Sequence, residues 1–206
     1  MDFLTNPDRF MERQKSGRFL LPVSIVAISA VISSATSYVL IPTVVEVLKK
    51  QLQGAGITGQ QLEAAIQITQ ISMIISPFIV TFIGWLVISA ILYVISGILG
   101  GNGSFSDLTK LVAFSYIPAI ILSPVTSYLA VEQTKYALAG IKAYAIPTAI
   151  LTISVAAWQA VYWAFAVKHA RDLELRKSAM ASSIVFIGYL LLTASSLVFS
   201  ALSGTP

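Results

Sequence analysis

From Ala64 to Ser106 the chain runs for forty-three residues without a Lys, Arg, Asp, Glu or His. A helix needs roughly 20 mostly apolar residues to cross a bilayer, so this run crosses once with turns to spare. It closes on Gly100-Gly101-Asn102-Gly103, the densest glycine cluster in the sequence and its clearest loop signal. Four further intervals lack charge: Phe19 to Val45, Leu111 to Val131, Ala143 to Val167 and Ser178 to Pro206. With 56% hydrophobic and 11% charged residues, against about 25% charged in soluble domains, the chain reads as an all-α, polytopic membrane protein. The expected bundle has five transmembrane helices, at about 19–41, 71–99, 108–130, 143–167 and 179–202. Residues 1–18 form a basic, amphipathic N-terminal segment, and 19–206 a single membrane domain.

Charge sets the expected orientation. With five spans, Arg9, Arg13, Lys15, Arg18, Lys110, Lys168, Arg171, Arg176 and Lys177 share one side, nine of the thirteen Lys and Arg residues. Lys49, Lys50, Lys135 and Lys142 fall on the other. The positive-inside rule then places the N-terminus in the cytoplasm and the C-terminus outside a cell membrane. Dividing the second span into a hairpin would separate the basic segments, which favours one long helix bent at Pro77. The first charge-free stretch follows an eighteen-residue charged segment and is too long for a signal-peptide core, so it is read as a retained span. This side bias accounts for the net charge of +4 without a nucleic-acid partner.

Local signals punctuate the spans. Asn6-Pro7-Asp8 is a helix start, with a capping Asn, a Pro in the first turn and an early acid. The segment that follows is either an ordinary basic flank or a helix lying on the leaflet. Residues from Ile57 to Gln70 form either a short surface helix or an extramembrane turn and helix. Gly100 or Gly101 can end the second span in a left-handed cap, and Ser104 to Asp107 has capping-box spacing. The turn Gly100, Gly101, Asn102, Gly103 and Ser104 is a tight connection, with a lipid-headgroup or anion cradle as the alternative. Ser29, Ser33 and Ser37, and Ala156, Ala160 and Ala164, recur at intervals of four, which puts small residues where helices pack closely. For the serines a polar ligand path is the alternative. Tyr144 at one end of the fourth span, and Tyr162, Trp163 and Phe165 at the other, suggest interfacial anchors. Between the fourth and fifth spans, KHARDLELRK is expected to be a solvated loop or short helix. There Arg171 would pair with Asp172, and Glu174 with Arg176 or Lys177. Lys168, Arg171, Arg176 and Lys177 are the candidate docking surface for a partner or anionic lipid.

The chemistry missing from the sequence is also informative. There is one His and no Cys, which removes thiolate and multi-histidine metal sites, and His169 stands in a charged connection, which disfavours a serine–histidine hydrolase inside the bilayer. None of the five intervals contains the buried carboxylate of an ion-driven carrier. No enzyme, catalytic residue, metal or cofactor is expected.

In order, NPDRF before the first span, GGNGSF after the second and DLTKLVAFSYIP opening the third resemble the Yip1 family of small membrane proteins. The resemblance covers nearly the whole chain. Ser115, Tyr116 and Pro118 lie in the stretch corresponding to the family's GYSxxP-like motif, with Ala113 and Phe114 in place of its usual Gly-Tyr; Ser115 and Pro118 match it directly. The resemblance implies a non-enzymatic protein acting through protein and lipid association, as in membrane organisation or trafficking. Its partners would be membrane lipids and other membrane proteins or further copies of itself. A small permease, a lipid-moving protein or an accessory subunit of a transport complex is the rival class. A continuous hydroxyl-lined groove through Ser29, Ser33 and Ser37, open to lipid or water, would favour that rival, and a closed helix bundle without a polar vestibule would favour association.

Overall fold

The computed structural model describes residues 2–141 and 143–203; Lys142 lies outside them. Among the described residues there is no strand. The helices are α1 (Asp2–Thr5), α2 (Pro7–Lys15), α3 (Leu20–Gly54), α4 (Gly59–Ile98), α5 (Phe105–Ala113), α6 (Ile117–Leu138), α7 (Ala145–Arg171) and α8 (Leu175–Ser203). A 3-10 turn, Phe114–Tyr116, joins α5 to α6. Among the described residues, five segments are long and apolar enough to cross a membrane: α3, α4, the α5–α6 pair, α7 and α8.

The spans are longer than the charge-free runs. Helix α3 continues through Lys49 and Lys50, where Glu46 and Lys50 pair at 2.8 Å one turn apart. Helix α4 begins at Gly59, so the residues expected to form a separate surface helix are its first turns. At 1.5 Å per residue, the 35 and 40 residues of α3 and α4 reach about 50 and 60 Å. A hydrocarbon layer is ~30 Å thick, so this hairpin extends well beyond it. Only 17% of the most apolar α4 window is buried inside the protein. Ile71, Ile75, Ile79, Ile83, Val87 and Val94 are exposed, a face that acyl chains cover and water would not.

The third span is interrupted. Helix α5 is an amphipathic wedge packed against α2, α3, α4 and α7, with Leu108, Leu111, Val112 and Ala113 fully buried. Pro118 stands in the first turn of α6, where a missing N–H costs no helical hydrogen bond. The main hydrophobic core gathers around this wedge, joining Met11, Trp85, Leu92, Phe114, Tyr162, Trp163 and Val167. The core therefore sits towards the end of the bundle that carries the N-terminus and the basic residues.

The N-terminal segment differs from both sequence expectations. Asn6 does cap α2, accepting from the Arg9 amide at 3.0 Å. Yet α2 is neither a loose flank nor only a surface helix, because it packs on α5 and α7. Met11 is fully buried, and Phe10 meets Phe114 edge-on at 5.1 Å. The expected aromatic anchors are corrected likewise: Tyr162 and Trp163 are core residues. The Tyr162 hydroxyl donates to the Phe3 carbonyl at 2.6 Å.

Candidate functional site

At the basic end, the glycine turn is spent on packing. Gly100 takes φ +95°, the left-handed conformation that ends α4. The amides of Gly100, Gly101 and Asn102 donate to the carbonyls of Gly97, Ser96 and Arg171. Gly103 lies so close to the end of α7 that a β-carbon there would overlap the Ala170 carbonyl. With three amides committed, the turn does not present the open nest an anion requires. Ser104 caps α5 as its spacing predicted, accepting from the Asp107 amide at 3.0 Å.

Arg171 is the reason for the close approach. It is not on a solvated loop; it is 4% exposed. Its Nε donates to Ser96 Oγ at 3.1 Å and its Nη2 to the Gly101 carbonyl at 2.7 Å. The guanidinium stands 4.1 Å from the Tyr93 ring centre. The expected Arg171–Asp172 pair is absent, because Asp172 caps α7 in a left-handed conformation and pairs with Lys15 at 2.8 Å. Lys168 is also engaged, 2.7 Å from Asp8, which His169 Nε2 contacts at 2.6 Å. The Lys168 ammonium holds the Asp8 carboxyl below the usual carboxylate range, reinforced by His169 and opposed by partial burial. Of the four basic residues expected to form a docking surface, Arg176 and Lys177 remain exposed.

The family-motif residues also hold helices together. Ser115 Oγ accepts from Trp163 Nε1 at 2.9 Å inside the core. Tyr116 donates to the Thr81 carbonyl at 3.3 Å, and Pro118 is buried. On α7, Ala156 and Ala164 are buried, and the Ala160 carbonyl accepts a short hydrogen bond from Ser182 of α8. Small residues at these positions let the two backbones approach.

The other half of the bundle is built differently. A cleft of about 350 Å³ opens between α3, α6 and α7, and all of its lining residues are half-buried. Ser29, Ser33 and Ser37 form one wall. Facing hydroxyls come from Ser123, Thr126 and Ser127 on α6 and from Thr148 and Thr152 on α7. Pro124 lacks the N–H that would bond the Ile120 carbonyl, and Ser123 Oγ supplies a donor there at 2.7 Å. Ser33 bonds the Ser29 carbonyl and Thr126 the Ser123 carbonyl. Thr148 Oγ1 is buried with no partner, at a cost of about 1–3 kcal/mol. The first wall was visible in the sequence. The second and third were not read, although their hydroxyls repeat at helical spacing.

A family model for the Yip1 domain matches residues 1–195. Among curated proteins, the chain is similar to uncharacterized protein MJ0794 of Methanocaldococcus jannaschii. The two are 27% identical over 135 residues, covering 63% of this chain and 89% of the relative. No solved structure matches. The match spans the N-terminal helix, the glycine turn and Arg171, the Ser115–Trp163 contact and the hydroxyl cleft together, and on its extent the chain belongs to the Yip1 domain family.

Proposed function

We propose that this is a non-enzymatic membrane protein that works by associating with lipid inside the bilayer, receiving the uncharged, hydrogen-bonding head of a lipid in the cleft between α3, α6 and α7. The observation that carries this reading is the hydroxyl lining of that cleft, drawn from three helices. A volume near 350 Å³ lies at the lower end of small-molecule sites, roughly 300–1,000 Å³. No ionisable residue lines it, and an ion without a partner is costly to desolvate, so a neutral head suits it better than a phosphate. The packed core around α5 closes the basic end. A head in the cleft therefore has no continuous route through the protein in this conformation, which favours binding or presentation over permeation. In this reading the basic end faces the cytoplasm of a cell membrane and the C-terminus lies outside.

The test is purification in gentle detergent followed by native mass spectrometry and lipid analysis. The expected result is a hydroxyl-bearing neutral lipid retained in stoichiometric amount by the wild type and lost from a Thr148→Val, Thr152→Val variant that still elutes as a folded species. A lipid complement equal to bulk membrane in both proteins would overturn the reading.

A further inference from the structure

We infer that the cleft is loaded sideways from the membrane, through a portal between α3 and α6 latched by the Thr36–Ser127 hydrogen bond, and that its occupant is a lipid with a hydroxyl-donating neutral head. This rests on the cleft being a lipid site, and it adds the route and the head chemistry. A second groove of about 500 Å³ adjoins the cleft, lined by Val39, Pro124, Tyr128 and Val131 among others. Val39 and Tyr128 are more than half exposed on the outer surface of the bundle, where acyl chains lie. Ile32, Thr36, Ser123 and Ser127 line both spaces, so the two meet at a common wall. The one ion pair at this groove, Glu132 with Lys135 at 3.0 Å, is internally compensated.

The common wall is held by a hydroxyl pair. Thr36 Oγ1 and Ser127 Oγ are 2.8 Å apart. Thr36 Oγ1 also lies 2.9 Å from the Ile32 carbonyl, and either hydroxyl of the pair can be the donor. Hydroxyl bonds between membrane helices are weak on average, and neither side chain is bulky, so small separations of α3 and α6 open the wall. The same bookkeeping sets the head chemistry. Ser33, Thr36, Ser123 and Thr126 donate to carbonyls of their own helices and retain lone pairs. These four hydroxyls of the lining can therefore accept, and a head with a free O–H group complements them. A diacylglycerol places its one free hydroxyl in the cleft and its chains in the groove.

The chain has no cysteine, so a Thr36→Cys, Ser127→Cys pair can lock this wall without competing disulfides. The full-length protein is reconstituted in phosphatidylcholine vesicles with a photoreactive diacylglycerol, and labelling of the α6 and α7 cleft residues is read by peptide mass spectrometry. The expected result is loss of cleft labelling on oxidation, restored by reductant, with wild type indifferent to both. A Thr36→Val variant, which keeps the shape and drops the latch, labels faster. Equal labelling of the oxidised and reduced pair overturns the lateral portal while leaving the cleft as a lipid site. Absence of cleft labelling in every protein overturns both. Equal capture of free glycerol with no labelling by the lipid shows a soluble polyol site and overturns the lipid assignment.

Discussion

Replacing Gly103 by alanine strikes the junction on which the basic end depends. The new methyl group would coincide with the Ala170 carbonyl oxygen and crowd the Arg171 Cα at 3.1 Å. Restoring an ordinary separation of ~3.5 Å requires the turn to retreat by about 2 Å. That retreat breaks the Arg171 Nη2 bond to the Gly101 carbonyl and the Asn102 amide bond to the Arg171 carbonyl. A bond to a charged donor contributes about 1.5–3 kcal/mol and a backbone bond about 0.5–1.5 kcal/mol, while Ser96 and Tyr93 still hold the guanidinium. We expect a loss of about 2–4 kcal/mol. Gly188, in α8, has nothing within 4 Å of its hypothetical β-carbon, so Gly188→Ala should gain about 0.5–1 kcal/mol from helix propensity alone. Reversible unfolding by SDS in mixed micelles, followed by tryptophan fluorescence, measures both. A Gly103→Ala protein within about 0.5 kcal/mol of wild type would show that the turn yields without cost, contrary to the account of Arg171.

Asp8 gives a pH dependence with a defined sign. Its carboxyl is held low by Lys168 and then His169, so its contribution to docking α2 is present above the unfolded value of about 3.9. That contribution is lost as pH falls through the lower folded value. Hydrogen exchange of residues 7–15, corrected for the intrinsic rate, should show protection disappearing below about pH 4, and Asp8→Asn should lack much of it at neutral pH. Unaltered protection in that variant would mean Met11 and Phe10 hold α2 alone. Ser115→Ala leaves the Trp163 indole N–H unpaired in the core, with an expected loss of about 1–3 kcal/mol in the same SDS titration. No change would show the indole finding another acceptor. Reversing the charges of Arg176 and Lys177, the exposed pair, should leave that unfolding curve unmoved. A large shift would place them in the packed structure.

What could be read in advance was what depends on short range. Charge-free length gives the five spans, and spacing alone gives the caps at Asn6 and Ser104 and narrows the left-handed cap to Gly100 or Gly101, of which the structure takes Gly100. Arg171 was misread as a loop residue because its partners, Ser96 and Gly101, are seventy or more positions away. Nothing in KHARDLELRK separates a buried guanidinium from a solvated one. The docking of α2 was hidden for the same reason, since Asp8 meets Lys168 and His169 only after the chain has crossed the membrane four times. The interruption before Pro118 left a trace, a proline in a span, but the buried wedge of α5 depends on contacts from four other helices. The cleft was one-third legible. Ser29, Ser33 and Ser37 stood out by regular repetition, whereas Ser123 with Ser127, and Thr148 with Thr152, show the same interval of four only as single pairs.

Residue-resolved mapping of where a photoreactive diacylglycerol attaches to the full-length protein in vesicles bears most directly on the central claim. The account predicts attachment concentrated at Ser123, Ser127, Thr148 and Thr152, reduced in the Thr148→Val, Thr152→Val variant and competed by unlabelled diacylglycerol. Attachment spread along the exposed face of α4, from Ile71 to Val94, with none in the cleft and no competition, would contradict it.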